Sequence, residues 1–317
     1  MLWWRRADGD LVKDGTDLRR VMPYVMRRRS ESTVYFDQRI DVRNAERFVR
    51  AFNEAHPETR ASLFHVVLWA SRQGFVEHSG LNRFVAGGRL YQRKGIWISY
   101  SAKQRMQKGA PLLVMKREFE PAESFLAMVT AMRTQLSTAK FGGERSTVDS
   151  ELGIILKLPG FARRLVFAAY RGLESLGAFP RAFIENDPLY ASLFLTDLGS
   201  LGLDPAYHHL YEYGTISIFG ALGRARTELV GDPNSGRMER KRIAAMRWSF
   251  DERVEDGLYA GYGLKYMHRL VEDPVRGGIA EGDDATLALL GAAEVDVDLA
   301  AAGDADVADA VSADDRP

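Results

Sequence analysis

Ser249-Phe250-Asp251-Glu252-Arg253-Val254-Glu255-Asp256-Gly257-Leu258-Tyr259-Ala260-Gly261 joins two kinds of pattern. Before it, Ala244–Phe250 reads as a strand. After it, Tyr259–Leu270 places apolar residues at helical spacing. Between the two stand an aromatic residue, an acid, Arg253, two further residues and Asp256-Gly257.

Working outward, Thr33–Ile40 (TVYFDQRI) is rich in β-branched and aromatic residues and reads as the first clear strand. Asp41 is placed to cap a helix carrying Ala45, Phe48, Val49 and Phe52, which Pro57 ends. A second helix is expected over about Arg60–Gln73, and a hairpin over Phe84–Tyr91 around Gly87-Gly88. Strands follow at Trp97–Ser101 and Leu112–Phe119, then a helix over Pro121–Leu136. Residues near Leu152–Leu176 read as helical, broken at Pro159, with further strands at Ser192–Thr196 and Gly214–Gly220. Helices and strands do not strictly alternate. That order predicts an α/β fold of α+β type, a mixed sheet with helices packed on it, rather than a doubly wound parallel sheet.

The 317 residues include no cysteine, which excludes disulfides, thiolate nucleophiles and cysteine-ligated zinc. Hydrophobic content of 46% suits a globular core. No apolar run reaches the roughly 18–20 residues of a membrane span, and the N-terminus lacks a signal-peptide core. The expectation is a cytoplasmic protein without a membrane partner. The 43 basic and 43 acidic residues cancel, but eleven acids and one base, Arg316, lie from Glu281 onward. Residues 1–280 are therefore basic, with 42 bases against 32 acids. They read as one domain with an N-terminal extension over 1–20, and 281–317 as an acidic disordered tail with a short helix near Ala285–Leu290. Gly142-Gly143 and Gly277-Gly278 fit no phosphate-loop pattern, and the histidines show no zinc-site spacing, so no metal is expected. The basic run Arg27-Arg28-Arg29 sits in no nucleic-acid recognition module, and no nucleic-acid partner is expected.

Arg27-Arg28-Arg29, residues 194–202 and residues 251–257, in this order and spacing, resemble the catalytic domain of 2-oxoacid dehydrogenase dihydrolipoyl acyltransferases, which shares the chloramphenicol acetyltransferase fold. One is Arg27-Arg28-Arg29 leading into the strand that ends Ile40-Asp41. The next is Phe194-Leu195-Thr196-Asp197-Leu198-Gly199-Ser200-Leu201-Gly202, similar to the family's Ser/Thr-Asn-Leu-Gly-x-x-Gly after a strand. The last is Asp251–Gly257, similar to Asp-His-Arg-x-x-Asp-Gly. The resemblance covers about residues 20–275 and implies a chloramphenicol acetyltransferase-like sheet, a homotrimer or higher oligomer, and transfer of acyl groups from coenzyme A or lipoyl thioesters. The family's lipoyl and subunit-binding domains are not represented in these residues, so the expected substrate is free acyl-coenzyme A or the lipoyl arm of another protein.

Residue by residue, the resemblance makes Thr196 the oxyanion-stabilising hydroxyl. Asp256 becomes a structural acid paired with Arg27, Arg28 or Arg29, and Gly257 the motif glycine. The departure is Glu252, which stands where the family has its histidine base. A general base works best with a pKa near the operating pH, and an unperturbed glutamate, at about 4.3, lies about four units below a thiol. Burial raises a carboxyl toward neutrality; the structural alternative is a salt bridge between Glu252 and a nearby arginine. His208 and His209, in the loop after the Thr196 strand, are the candidate substitutes, with Glu252 orienting one of them across a subunit boundary. The alternative function is a catalytically inactive trimeric scaffold or an accessory subunit of an acyltransferase complex. Residues 145–185 read as an insertion offering packing or a partner surface.

Overall fold

The structure is a computed structural model that describes residues 6–14, 16–103, 112–141, 156–231 and 236–292. Its centre is a six-stranded mixed sheet in the order β2-β9-β8-β7-β5-β6. The strands are β2 (Thr33–Asp41), β5 (Trp97–Lys103), β6 (Leu112–Glu118), β7 (Leu193–Asp197), β8 (Ile218–Gly231) and β9 (Met238–Asp251). β7 runs parallel to β5 and β8; β2–β9, β8–β9 and β5–β6 are antiparallel. A small sheet of β1 (Gly9–Leu11), β4 (Arg89–Arg93) and β3 (Arg83–Ala86) flanks it. The mixed sheet with packed helices is the architecture expected from the sequence.

The core lies between the large sheet and the helices α3 (Arg43–Ala55), α4 (Leu63–Glu77), α5 (Phe125–Phe141) and α8 (Gly257–Glu272). The two shorter helices before β2 are α1 (Asp17–Val25) and α2 (Arg29–Ser32); α6 (Gly160–Leu176) and α7 (Arg181–Asn186) precede β7. α4 is buried on most sides, with Val66, Val67, Leu68, Trp69 and Ala70 all at 2% exposure or less. Gln38 ties the sheet to α8, accepting from the Trp248 Nε1–H at 2.9 Å and donating to the Leu264 carbonyl at 3.0 Å.

The other face of the sheet carries a separate, smaller cluster of Ala191, Phe194, Leu210, Ile216 and Phe219. It is covered by the extended segment 203–217, which forms no regular element. The sheet is thus roofed by helices on one side and by a loop on the other, and Thr196 and His208 lie on the loop side.

Several boundaries differ from expectation for physical reasons. β8 begins at Ile218, not Gly214, because Gly214 sits at φ +78 in a turn. β8 and β9 continue as a long ribbon through Leu229 and Met238, where side chains are solvated on both faces and no alternation marks a strand. α1 lies in what reads as an N-terminal extension. The Gly87-Gly88 hairpin forms as expected, with φ +55 and +73.

At the C-terminus, residues 284–292 are helical and pack on the body, with Thr286 and Leu290 buried and Asp283 bound to His56. The tail expected from Glu281 therefore has its first twelve residues in the folded part; residues 293–317 lie outside the described residues, as do Gly142-Gly143 and 145–155 of the insertion.

Candidate active site

The loop that opens the sequence reading leaves β9 and enters α8. Its organising acid is Asp251, 1% exposed. The Arg253 guanidinium donates to both Asp251 carboxylate oxygens, Nε at 2.8 Å and Nη2 at 2.7 Å. The Ser32 hydroxyl donates to the same carboxylate at 2.9 Å, and Arg29 approaches it at 3.9 Å. Arg253 Nη1 reaches back to the carbonyls of Met26 and Arg27. A planar guanidinium matches a carboxylate in two parallel bonds, which suits it to a buried pair.

This geometry corrects the pairing expected for Asp256. Asp256 caps α8 instead, accepting from the Tyr259 N–H at 2.8 Å, and its ion partner is Arg19 of α1 at 3.6 Å. A carboxylate at a helix N-terminus is held by free N–H groups and needs no buried arginine. Of the three arginines, Arg29 alone meets an acid of the motif, Asp251. Arg29 also donates to the carbonyls of Tyr211 at 3.0 Å and Gly214 at 2.8 Å, and burial pushes its pKa down against the pull of Asp251. Arg27 and Arg28 are exposed, and their backbone N–H groups bind Glu31. Gly257 opens α8, with open space where a Cβ would stand.

Glu252 is pinned through its backbone: its N–H donates to the Ser32 carbonyl and its own carbonyl accepts from Arg19 at 2.6 Å. Its half-buried carboxylate forms no ion pair among the described residues. The expected lock between Glu252 and an arginine is therefore not present within the described chain.

Thr196 lies at the carboxyl end of β7, and its hydroxyl is 2.9 Å from that of Ser101 on β5. On the same loop-covered face, the His208 ring stacks on Phe219 with centroids 3.9 Å apart. Phe219 stands opposite Phe194 and Thr196 opposite Ala221, so His208 covers the strand next to the threonine, about two residues along. His208 Nδ1 is 2.6 Å from the His209 carbonyl. A carbonyl only accepts, so that contact protonates Nδ1 and leaves the lone pair on Nε2. Burial pushes the His208 pKa down, favouring this neutral form. His209 is exposed and stacks on His208 at 4.8 Å.

Glu252 does not join this group within one chain. Thr196 is level with Arg247 on β9, five residues before Glu252 and two strands away. At about 3.3 Å per residue and 4.8 Å per strand, the two positions are roughly 20 Å apart. The remaining histidines are engaged elsewhere: His56 with Asp283, His65 with Ser62, His268 with Glu272, and His78 between Tyr259 and Tyr266.

No protein-family model and no curated protein matches the sequence. Solved structures do match. The probable dihydrolipoamide acetyltransferase of Listeria monocytogenes superposes with a TM-score of 0.55 at 16% identity, over 87% of this chain and 97% of that one. This chain has the dihydrolipoamide acetyltransferase fold. The Azotobacter vinelandii enzyme, whose catalytic mechanism has been probed at a serine, a histidine and an asparagine, superposes with a TM-score of 0.53 at 15% identity, over 83% and 92%. The cubic core of a pyruvate dehydrogenase multienzyme complex gives 0.54 at 14% identity, over 83% and 93%.

Within the acetyltransferase fold, sequence reading missed three residues of the site. Ser101 carries no local motif; only strand pairing brings its hydroxyl to Thr196. Arg19 lies in a helix that was not foreseen. Asp251 had a legible signal, its spacing of two from Arg253, but the acid before the glycine drew the structural role instead.

Proposed function

We propose that this chain is an acyltransferase-like protein that moves an acyl group between coenzyme A or lipoyl thioesters and an acceptor thiol. The observation that carries this reading is the Ser101–Thr196 hydroxyl pair on the loop-covered face of an acetyltransferase fold, with His208 Nε2 left as an acceptor nearby. In the proposed step a base takes the acceptor thiol's proton. The thiolate sulfur attacks the thioester carbonyl carbon, and the carbonyl oxygen gains negative charge. Thr196 donates its hydroxyl hydrogen bond to that oxyanion, while Ser101 orients the threonine. Collapse breaks the old carbon–sulfur bond, and the departing thiolate recovers the proton from the base.

Two bases fit this scheme. His208 lies on the face of Thr196 in the same chain. Glu252 reaches a Thr196 only from a neighbouring copy, and the likeness to cores of multienzyme complexes supports an assembly of several copies, with a trimer as the expected unit. In the Azotobacter vinelandii enzyme the probed histidine and asparagine stand four residues apart, the spacing of Glu252 and Asp256 here. A second reading, an inactive scaffold, is favoured by the carboxylate at that position, a side-chain type less suited than a histidine to take a proton from a thiol.

Turnover of acetyl-, propionyl- and longer acyl-coenzyme A with dihydrolipoamide separates these readings. Loss in Thr196→Val and in His208→Gln, with Glu252→Gln active, assigns the base to His208. Loss in Glu252→Gln with His208→Gln active assigns it to the glutamate. No turnover from a folded, oligomeric protein supports the scaffold.

A further inference from the structure

α6 is built inside out relative to a helix that packs on a core. Tyr170 and Glu174 face the body: Tyr170 stacks on Tyr213 and bonds Tyr190, and Glu174 binds Arg6. The opposite stripe, Phe161, Leu165, Ala169, Gly172 and Leu176, follows helical spacing and faces solvent. Phe161 is 77% exposed and Leu165 70%, and no residue of the helix is buried. Leu156 and Leu158, just before the helix, extend the apolar strip.

The strip continues onto a second helix of the same kind. The Gly87-Gly88 turn is wedged between the Ser175 carbonyl of α6 and the Tyr24 ring of α1. α1 turns Arg19 and Pro23 to the body and exposes Leu18, Val21, Tyr24 and Val25.

What covers this strip follows from its charge. Lys157, Arg163, Arg164 and Arg171 are exposed, and among the described residues none of them forms an ion pair. The one acid of α6, Glu174, is spent on Arg6 at the body side. Arg164 and Arg171, seven residues apart, border the apolar stripe. A second copy meeting this face through a twofold axis would set like charges against each other. An anionic bilayer surface complements both features: apolar side chains enter the acyl boundary while arginines snorkel to the headgroup phosphates. Arg6, seated on α6, is preceded in sequence by Leu2-Trp3-Trp4-Arg5, residue types that favour a bilayer interface.

We infer that α6, continued by α1, is a membrane-surface anchor that docks the protein on anionic lipid. No described helix is long and apolar enough to cross a membrane, so α6 lies in the interface plane. The absence of a spanning run, on which the expectation of no membrane partner rested, does not bear on a surface helix.

Flotation of the full chain with vesicles tests this independently of thioester turnover. The probes are phosphatidylcholine vesicles with and without phosphatidylglycerol. Expected are binding to the phosphatidylglycerol vesicles that weakens with salt, and a loss of about tenfold or more in both Phe161→Glu/Leu165→Glu and Arg164→Glu/Arg171→Glu. Leu229→Glu, an exposed substitution on the β8–β9 ribbon, should leave binding unchanged. The inference is overturned if folded wild-type protein fails to float at low salt. It is equally overturned if Phe161→Glu/Leu165→Glu floats as well as wild type. Vesicle binding unaffected by these variants while their mass in light scattering falls would assign the strip to contacts between copies instead.

Discussion

Asp251 and Arg253, on either side of Glu252, grip each other through two parallel hydrogen bonds. Both are almost fully buried, so removing one partner strands a charge. Asp251→Asn and Arg253→Met should each cost about 3–5 kcal/mol. Glu252→Gln, which leaves the backbone contacts to Ser32 and Arg19 in place, should stay within about 0.5 kcal/mol. Urea denaturation of the three variants checks the contrast; a large loss in Glu252→Gln would mean its carboxylate has a structural partner.

The Ser101–Thr196 hydroxyl pair should separate catalysis from folding. Removing one oxyanion donor typically costs about 10²–10³ in kcat, so Thr196→Val should lose that much thioester turnover. Ser101→Ala should lose less, because the role proposed for Ser101 is only to orient the threonine. Thermal melts of both should remain close to wild type; equal turnover in all three proteins would remove Thr196 from the site.

His65 should make the fold acid-sensitive. Burial lowers its pKa to about 4, with Arg133 adding to the shift, against an ordinary value of 6.5. Between those values the unfolded chain binds a proton that the folded chain refuses. The contribution is nil above pH 6.5, and stability drains as the pH falls from 6.5 toward 4, by at most about 3 kcal/mol. Unfolding free energies of wild type and His65→Gln, compared across that window, should converge as the pH drops. A constant difference would refute the shift.

Two glycines with similar backbone angles should respond differently to alanine. Gly214 has φ +78, and a Cβ there would stand 2.2 Å from the Leu189 carbonyl oxygen. Gly202 has φ +73 with nothing within 4 Å. Gly202→Ala should cost about 1 kcal/mol for the angle alone, and Gly214→Ala well above about 2. Denaturant midpoints decide; equal costs would place the collision elsewhere.

The sheet, its helices and the hairpin were legible because they carry one-sided patterns: β2 and β7 are rich in strand formers, and α8 repeats its apolar residues every three or four positions. The outer β8–β9 ribbon was not, since charged residues such as Arg226, Glu228, Arg240 and Lys241 line it with no buried face to enforce alternation. Thr196 was singled out through its motif, and its contact with Ser101 was invisible because it depends on a strand register that no local spacing encodes. Of the two motif acids, Asp256 was given the arginine pairing that Asp251 holds, and Asp251 was given no role. A sequence shows two carboxylates five residues apart; only the chain path shows which one is sealed beneath Ser32 and which one meets a helix end.

Arg29 binds the acid under one loop with its guanidinium edge while its remaining nitrogens hold the carbonyls of Tyr211 and Gly214 at the end of the other. Those two acceptors belong to the main chain, not to side chains. The His208 segment can therefore drift in sequence, exchanging its tyrosines or histidines, without losing its tether to the Glu252 turn. Glu212 closes the junction from the other side, its carboxylate accepting from the Arg29 and Ser30 N–H groups, so one arginine and one glutamate clasp two loops that otherwise meet through backbone.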